Sequence, residues 1–471
     1  LPVFASKKRQ KCRFLLVKNG KIKDDKLRAS KSEEIMHRKL YKSLQTWKSK
    51  SSRKPLIVRG VRQCGKTHLL KEFGKTEFQK SHYFNFEEDG ELSPFFSRNL
   101  KAKRILSELE FHSGTVIDPK TDLLIFDEIQ ACPRALSSLK YFQETMPELA
   151  ICSAGSLLGV HLGYESFPVG KVEVIDLFPM SFFEFLEALD EMQALEFLVD
   201  WNFDKQIPLS LHNRLWEKLK FYFIVGGMPE VVQEFVQYQE NHLIAFEKVR
   251  ERQKQLLIAY FSDIAKHSGK ANAMHVERVF HGIPSQLAKS QNGNVRRFQF
   301  KGLVPNIDKY SRLASAIDWL EAAHLILKLA ITNRAEIPFK AFTKESFFKL
   351  LVFDVGILGA MSSLPAKSIL DYDYGTYKGY FAENFVAQEL LCSGYDSLHS
   401  WEEGRSEIEF LLEKDGKPMP VEVKSGWISK AQSLSKFNAK YKPEKSIILS
   451  AKEFKIHNGL IHLPLYLAGK I

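Results

Sequence analysis

Nine residues carry the first chemistry: Gly60-Val61-Arg62-Gln63-Cys64-Gly65-Lys66-Thr67-His68, of which the first eight fit G-x-x-x-x-G-K-[ST]. Glycines let backbone N–H groups close on phosphate oxygens, and a helix starting at the lysine adds positive potential. Lys66 then reaches the β- and γ-phosphates, and the Thr67 hydroxyl ligates Mg²⁺. Gly60 to His68 therefore predict a cradle for ATP or GTP. Further along, Asp127-Glu128 ends a wholly apolar run. Asp127 is placed to hold Mg²⁺ through water, and Glu128 to polarise the attacking water as general base. Near the C-terminus stand Glu409 and then Glu422-Val423-Lys424. An acid on one strand and E-x-K on the next bring two carboxylates and a lysine to one sheet end. Glu409 and Glu422 would hold Mg²⁺ there, and Lys424 would orient water or stabilise phosphate charge. So short a pattern also arises by chance.

These residues need elements to position them. Pro55 to Val58 reads as a buried strand before the glycine loop, and Leu69, Leu70 and Phe73 mark one face of the helix after it. His82 to Phe86 alternates like a second strand, and Leu92 to Leu109 reads as helical insertions broken at Pro94. Leu123 to Phe126 has the pattern of a strand buried on both faces, which puts Asp127 and Glu128 where open α/β sheets bind ligands. Leu149 to Ser156 and Val172 to Leu177 predict two more strands. Ser156 is the expected polar sensor of the γ-phosphate or the water. Ser32 to Lys50 reads as a helix, and residues 182–265 as mostly helical behind a capping box of Ser181 and Glu184. Gly226-Gly227-Met228-Pro229 predicts a sharp break there, or a hinge that follows nucleotide state.

Residues 266–340 read as a small separate unit: two short helices around Val276 to Ala288, a third from Ser311 to Leu320, and a strand from Leu325 to Ile331. This suits a winged helix, with Arg296 and Arg297 where a DNA contact would form. Phe381 to Leu391 reads as a strong helix containing Glu383. Ile408 to Leu412 and Pro420 to Val423 predict two strands around the turn 414–417.

The chain of 471 residues carries a net charge of +12. Residues 1–54 hold 18 Lys/Arg against 4 Asp/Glu, whereas the remainder holds 50 against 52. The excess thus sits in an N-terminal arm that either grips phosphate backbones or is a solvated tail. The start on Leu1 rather than Met fits a processed, truncated or engineered N-terminus. No apolar run approaches the roughly 18 residues of a membrane span, and no secretory core precedes Lys7-Lys8-Arg9. Five scattered cysteines without C-x-x-C spacing fit a reduced, cytoplasmic setting.

GVRQCGKT, LLIFDEIQACPRALSSLKYF, SAGSLLG, FPMSFFEFL, VGGMPEVV, FAENFVAQEL and PVEVKSG follow in order. Together they resemble a prokaryotic family of AAA-type P-loop ATPases with a C-terminal domain of unknown function similar to the PD-(D/E)XK nuclease fold. The resemblance covers residues 31–471. It implies an α/β fold class: an ATPase core over 31–177, a helical lid over 178–265, a winged-helix segment over 266–340, and a restriction-endonuclease-like domain over 341–471. The basic arm 1–30 lies outside it. By carry-over Lys66 and Thr67 match Walker A, Asp127 and Glu128 match Walker B, and Glu383, Glu409, Glu422 and Lys424 match the nuclease-like core. Glu409 stands where the family more often has Asp. Cys64 fills a place usually taken by a small aliphatic residue, and Lys171 stands where relatives often have the arginine of a trans-acting finger. ATP and Mg²⁺ are the implied cofactors and DNA a partner, with rings, dimers or a monomer open. The implied function is ATP hydrolysis coupled to a DNA-engaging domain. The alternative is a nucleotide-dependent regulator whose nuclease-like domain only binds. A GTPase is disfavoured, because no N-K-x-D signal occurs.

Overall fold

The computed structural model describes residues 38–156, 167–291, 297–373, 375, 377–426 and 431–471. Its first sheet contains β1 (Leu56–Arg59), β2 (Ser81–Asn85), β3 (Leu123–Asp127), β4 (Ala150–Gly155) and β5 (Glu173–Asp176), all parallel, in the order β2-β3-β4-β1-β5. Strand alternation divides the apolar side chains between two faces. Leu56, Val58, Leu123 and Ile125 pack with Leu69, Leu70 and Phe73 of the helix Lys66–Glu77. Ile57, Leu124 and Phe126 point the other way, onto Ile105, Leu139 and Phe142 of the helices Ala102–Ser113 and Pro133–Thr145. The central strands are therefore covered on both sides, as their unbroken apolar sequences require. Pro94 does not break a helix as expected. It lies in the first turn of a short one, Ser93–Ser97, where its missing N–H costs nothing. The predicted helix 32–50 is seen as Leu40–Lys48, and its expected start at Ser32 lies outside the described residues.

Five helices follow: Phe182–Ala188, Met192–Val199, Leu209–Val225, Pro229–Tyr238 and His242–His267. The first has the capping box read from Ser181 and Glu184. Val276 to Ala288 forms one helix, Lys270–Gln291, instead of two; Pro284 sits inside it, which forfeits a single backbone bond without ending so long a helix. The helix Tyr310–Ala322 precedes a second sheet of β6 (Ile326–Thr332), β7 (Thr343–Val352), β8 (Leu398–Glu403) and β9 (Ser406–Ile408), ordered β7-β6-β8-β9. Segment 266–340 is thus not separate: β6 pairs across the expected boundary at 340, and its apolar residues join the same core as the ATPase-like sheet.

The third sheet joins β10 (Phe410–Lys414), β11 (Lys417–Val423), β12 (Ser446–Ser450), β13 (Lys455–His457) and β14 (Leu460–Pro464) in the order β10-β11-β12-β14-β13. Its β10–β11 hairpin turns at Asp415 and Gly416, both at positive φ, as a tight hairpin of this hand requires. The strand expected over Ile408 to Leu412 is instead divided at Glu409. β9 belongs to the second sheet and β10 to the third, so the chain turns a corner there. Among the described residues no helix is long and apolar enough to cross a membrane.

The helix Tyr377–Cys392 is buried from Tyr380 to Leu390, so each of its polar groups needs a partner. Asn384 bonds both the N–H and the C=O of Val352 at 2.8 Å. Gln388 accepts from Val355 N–H and donates to the Tyr222 hydroxyl, which donates to Met180 O. Glu389 accepts from Phe182 N–H at 2.8 Å. Asp354 caps the helix Val355–Met361 and accepts from Gly227 N–H at 2.6 Å. This knot explains the paired glycines. A Cβ on Gly226 would lie 2.2 Å from Asp354 Oδ1, and one on Gly227 would lie 2.1 Å from Met180 O. The break is a close-packed crossing of three backbones, which argues against a hinge.

Gly227→Ala is expected to destabilise the protein by about 2–3 kcal/mol in urea unfolding, because backbone must shift to admit the methyl; an unchanged midpoint would restore the hinge. A second expectation concerns pH. Burial pushes the Glu389 carboxyl up to about 8 and Asp354 up to about 6, against ordinary values of 4.5 and 3.8. The folded state therefore binds these protons more tightly than the unfolded chain, and stability declines as pH rises from about 4 to about 8. Glu389→Gln keeps an acceptor for Phe182 N–H and should flatten the upper part of this decline in thermal melts at successive pH values. A wild-type Tm constant or rising across that interval would contradict the account.

Candidate functional site

The loop Gly60–Gly65 leaves β1 at the carboxyl edge of the parallel sheet. Gly60 has φ 153°, and a Cβ there would meet Leu177 O at 2.2 Å, so only glycine lets the loop pass β5. The Val61 and Cys64 side chains are buried, which makes Cys64 the compact apolar filler of the loop. Gln63 has a left-handed backbone at φ 64°, and Gly65 begins the helix Lys66–Glu77. Lys66 Nζ is buried and donates to Gly60 O and Val61 O at 3.0 and 2.9 Å. Arg62 is held by Asp263 at 2.6 Å and lies 3.8 Å from Glu87. His68 is exposed, 3.7 Å from Glu72.

Thr67 Oγ1 donates to Asp127 Oδ2 at 2.7 Å. A hydroxyl and a carboxylate that meet in this way fit a Mg²⁺ site: the ion would be held by Thr67 directly and by Asp127 through water. The Tyr83 hydroxyl donates to the same Oδ2 at 2.8 Å, and Glu128 N–H donates to Oδ1. Glu128 is left-handed at φ 47°, and its Oε2 accepts from Gln130 Nε2 at 2.5 Å. Burial raises its pKa, opposed by Gln130 and Lys66, which suits a carboxylate that must accept a proton. Ser156 is buried at the end of β4. With Val61, Arg62, Tyr260 and Asp263 it lines a small cavity beside the loop. Lys171, in the finger position, pairs with Glu144 at 3.0 Å.

Arg38 escaped the sequence reading. Its buried guanidinium donates to Cys64 O at 2.8 Å, to Phe178 O at 2.5 Å and to Glu184 Oε1 at 3.1 Å. Glu184 also caps its own helix by accepting from Ser181 N–H. Tyr83, Gln130 and Asp263 were missed as well. Gln130 lies within the stretch LLIFDEIQACPRALSSLKYF, two residues from Glu128, but Arg38, Tyr83 and Asp263 meet the site through contacts distant in sequence, such as the 146 residues from Arg38 to Glu184, which leave no periodic signal.

The C-terminal residues also converge. Lys424 Nζ lies 2.5 Å from Glu422 Oε1 and 3.9 Å from Glu409 Oε1. Residues two apart on a strand share a face, which brings Glu422 and Lys424 together. Glu409 Oε2 accepts from Val423 N–H, and burial beside Glu422 pushes its carboxyl up to about 8. Glu383 is bound by Lys349 at 2.8 Å, and the same ammonium reaches Glu407 at 2.5 Å. Lys349 and Glu407 were not singled out from the sequence. The carboxylates of this cluster are paired with lysines, and among the described residues no three His, Cys, Asp or Glu side chains are grouped to hold a metal. Arg296 and the arm 1–30 lie outside the described residues, and Arg297 stacks over Phe347 at 4.1 Å.

Comparison with known proteins agrees with the nucleotide site. Residues 52–186 match the model of an AAA domain, and residues 216–368 and 378–467 match two domains of unknown function, DUF8612 and DUF4143. No curated protein matches the chain. Among solved structures, the Walker-type ATPase of Pyrococcus abyssi is 16% identical over 70% of this chain and 97% of its own, with TM-score 0.44. The Holliday junction branch migration motor of Thermotoga maritima is 13% identical over 69% and 91%, with TM-score 0.27. The Orc1 protein of Aeropyrum pernix, in complex with DNA, is 11% identical over 73% and 94%, with TM-score 0.26. The chain carries a P-loop AAA-type ATPase domain, followed by β-rich domains of unknown function.

Proposed function

We propose that the protein hydrolyses ATP and transmits its nucleotide state to the C-terminal domain. The observation that carries this is the meeting of Thr67 and Asp127, with Lys66 and Glu128 on either side. Lys66, released from its own loop carbonyls, neutralises charge on the β- and γ-phosphates. Bound Mg²⁺ would supply electrostatic stabilisation of the transferring phosphoryl group. Glu128, oriented by Gln130, takes the proton of the attacking water, and Ser156 reads the γ-phosphate from the end of β4. Transmission has a physical route. Arg38 ties Cys64 of the loop to Glu184, and the helix that Glu184 caps begins at Phe182, whose N–H is held by Glu389 of the C-terminal part.

The C-terminal domain is read as a nuclease-like fold acting as a binding module for DNA. The helices Lys270–Gln291 and Tyr310–Ala322, with the β6–β7 hairpin behind them, are read as winged-helix-like. A second reading, metal-dependent DNA cleavage by Glu383, Glu409, Glu422 and Lys424, is favoured by their convergence. Its test is nicking of supercoiled DNA with Mg²⁺ or Mn²⁺. Nicking by wild type and none by Lys424→Ala would establish cleavage.

Lys66→Ala should abolish ATP hydrolysis, and retained turnover would sink the ATPase assignment. Glu128→Gln should keep ATP bound while slowing turnover by about 10²–10⁴; unchanged turnover would remove Glu128 as base. Hydrolysis measured with and without DNA, alongside mass in solution, tests the coupling. Stimulation by DNA supports it, and indifference leaves a regulator that does not engage DNA.

A further inference from the structure

The Lys349 ammonium belongs to β7, outside the C-terminal family match at 378–467, yet both its carboxylate partners lie within that match. Its side chain is 6% exposed, that of Glu383 3% and that of Glu407 23%, so the ammonium and one of its two carboxylates are out of water. Lys349 Nζ stands 2.8 Å from Glu383 Oε1 and 2.5 Å from Glu407 Oε1, from a helix and from β9 respectively. Lys424 serves Glu422 and Glu409 in the same way at the end of β11. Four glutamates are thus divided between two ammonium groups. Two carboxylates converging on one buried cation is the arrangement a divalent ion would otherwise occupy.

We infer that Lys349 is a tethered counter-ion occupying the place of a metal between Glu383 and Glu407, and that it clamps β7 to the segment matched by the C-terminal family at 378–467. The clamp explains how a cluster with nuclease-like residues stays folded without metal. It makes Lys349 a positioning residue, acting through the glutamates it holds. Glu422 Oε2 is buried without a hydrogen-bond partner among the described residues. The inference goes beyond the ATPase reading and is independent of it, because nothing in it involves the nucleotide loop.

The test uses the full chain without nucleotide and Mn²⁺ as probe. Lys349→Met leaves the buried Glu383 and the partly exposed Glu407 carboxylates uncompensated, and its Tm should fall by about 10 °C. Millimolar Mn²⁺ should recover much of that loss in the variant, with one bound ion detected by electron paramagnetic resonance, while wild type binds none at this cluster. Glu407→Gln added to Lys349→Met should weaken that binding at least tenfold. An unchanged Tm in Lys349→Met would overturn the inference, as would a wild-type Mn²⁺ site that Glu407→Gln abolishes. If Lys349→Met does not fold, Lys349→Met with Glu383→Gln decides: recovery of folding as charge is removed supports the counter-ion, and continued failure to fold rules it out.

Discussion

A buried guanidinium is untenable without partners, and the partners of Arg38 come from three places: Cys64 in the nucleotide loop, Phe178 after β5, and Glu184 in the next helix. Removing any one leaves charge or a polar group stranded, at a cost of about 3–5 kcal/mol for a broken buried ion pair. The loop, the end of the parallel sheet and the start of the helical region are therefore fixed relative to one another. The phosphate cradle owes its shape to this as much as to its own glycines.

The same logic recurs deeper in the molecule. Glu184, Asp354 and Glu389 each meet backbone N–H groups at or beside a helix start, where the positive end of the helix dipole favours a carboxylate. Burial raises the pKa of Asp354 and Glu389, so these contacts are held at an electrostatic cost that backbone N–H groups only partly offset. The glycines at 226, 227 and 356 allow backbones to cross closely enough for those bonds to form. Motif stretches outside the nucleotide site, FPMSFFEFL, VGGMPEVV and FAENFVAQEL, thus meet in one knot between the helical region and the C-terminal part.

The C-terminal cluster contrasts with the nucleotide site. At Thr67 and Asp127 a hydroxyl meets a buried carboxylate directly. At Glu383, Glu407, Glu409 and Glu422 lysine ammoniums already fill the space between carboxylates. Carboxylates thus meet a hydroxyl in one place and lysine ammoniums in the other, and the difference lies in what a buried lysine reaches.

By itself the sequence determined the local features. The phosphate loop, the apolar strand ending in Asp127, the Ser181–Glu184 capping box and the β10–β11 hairpin each depend on neighbours a few residues apart. Their signals are therefore periodic and short. Tertiary structure alone decided the role of Arg38, the failure of 266–340 to stand apart, the split of a strand at Glu409, and the Lys349 clamp. These rest on contacts between residues far apart in the chain, where burial forces charges and backbones to find partners that no local pattern names.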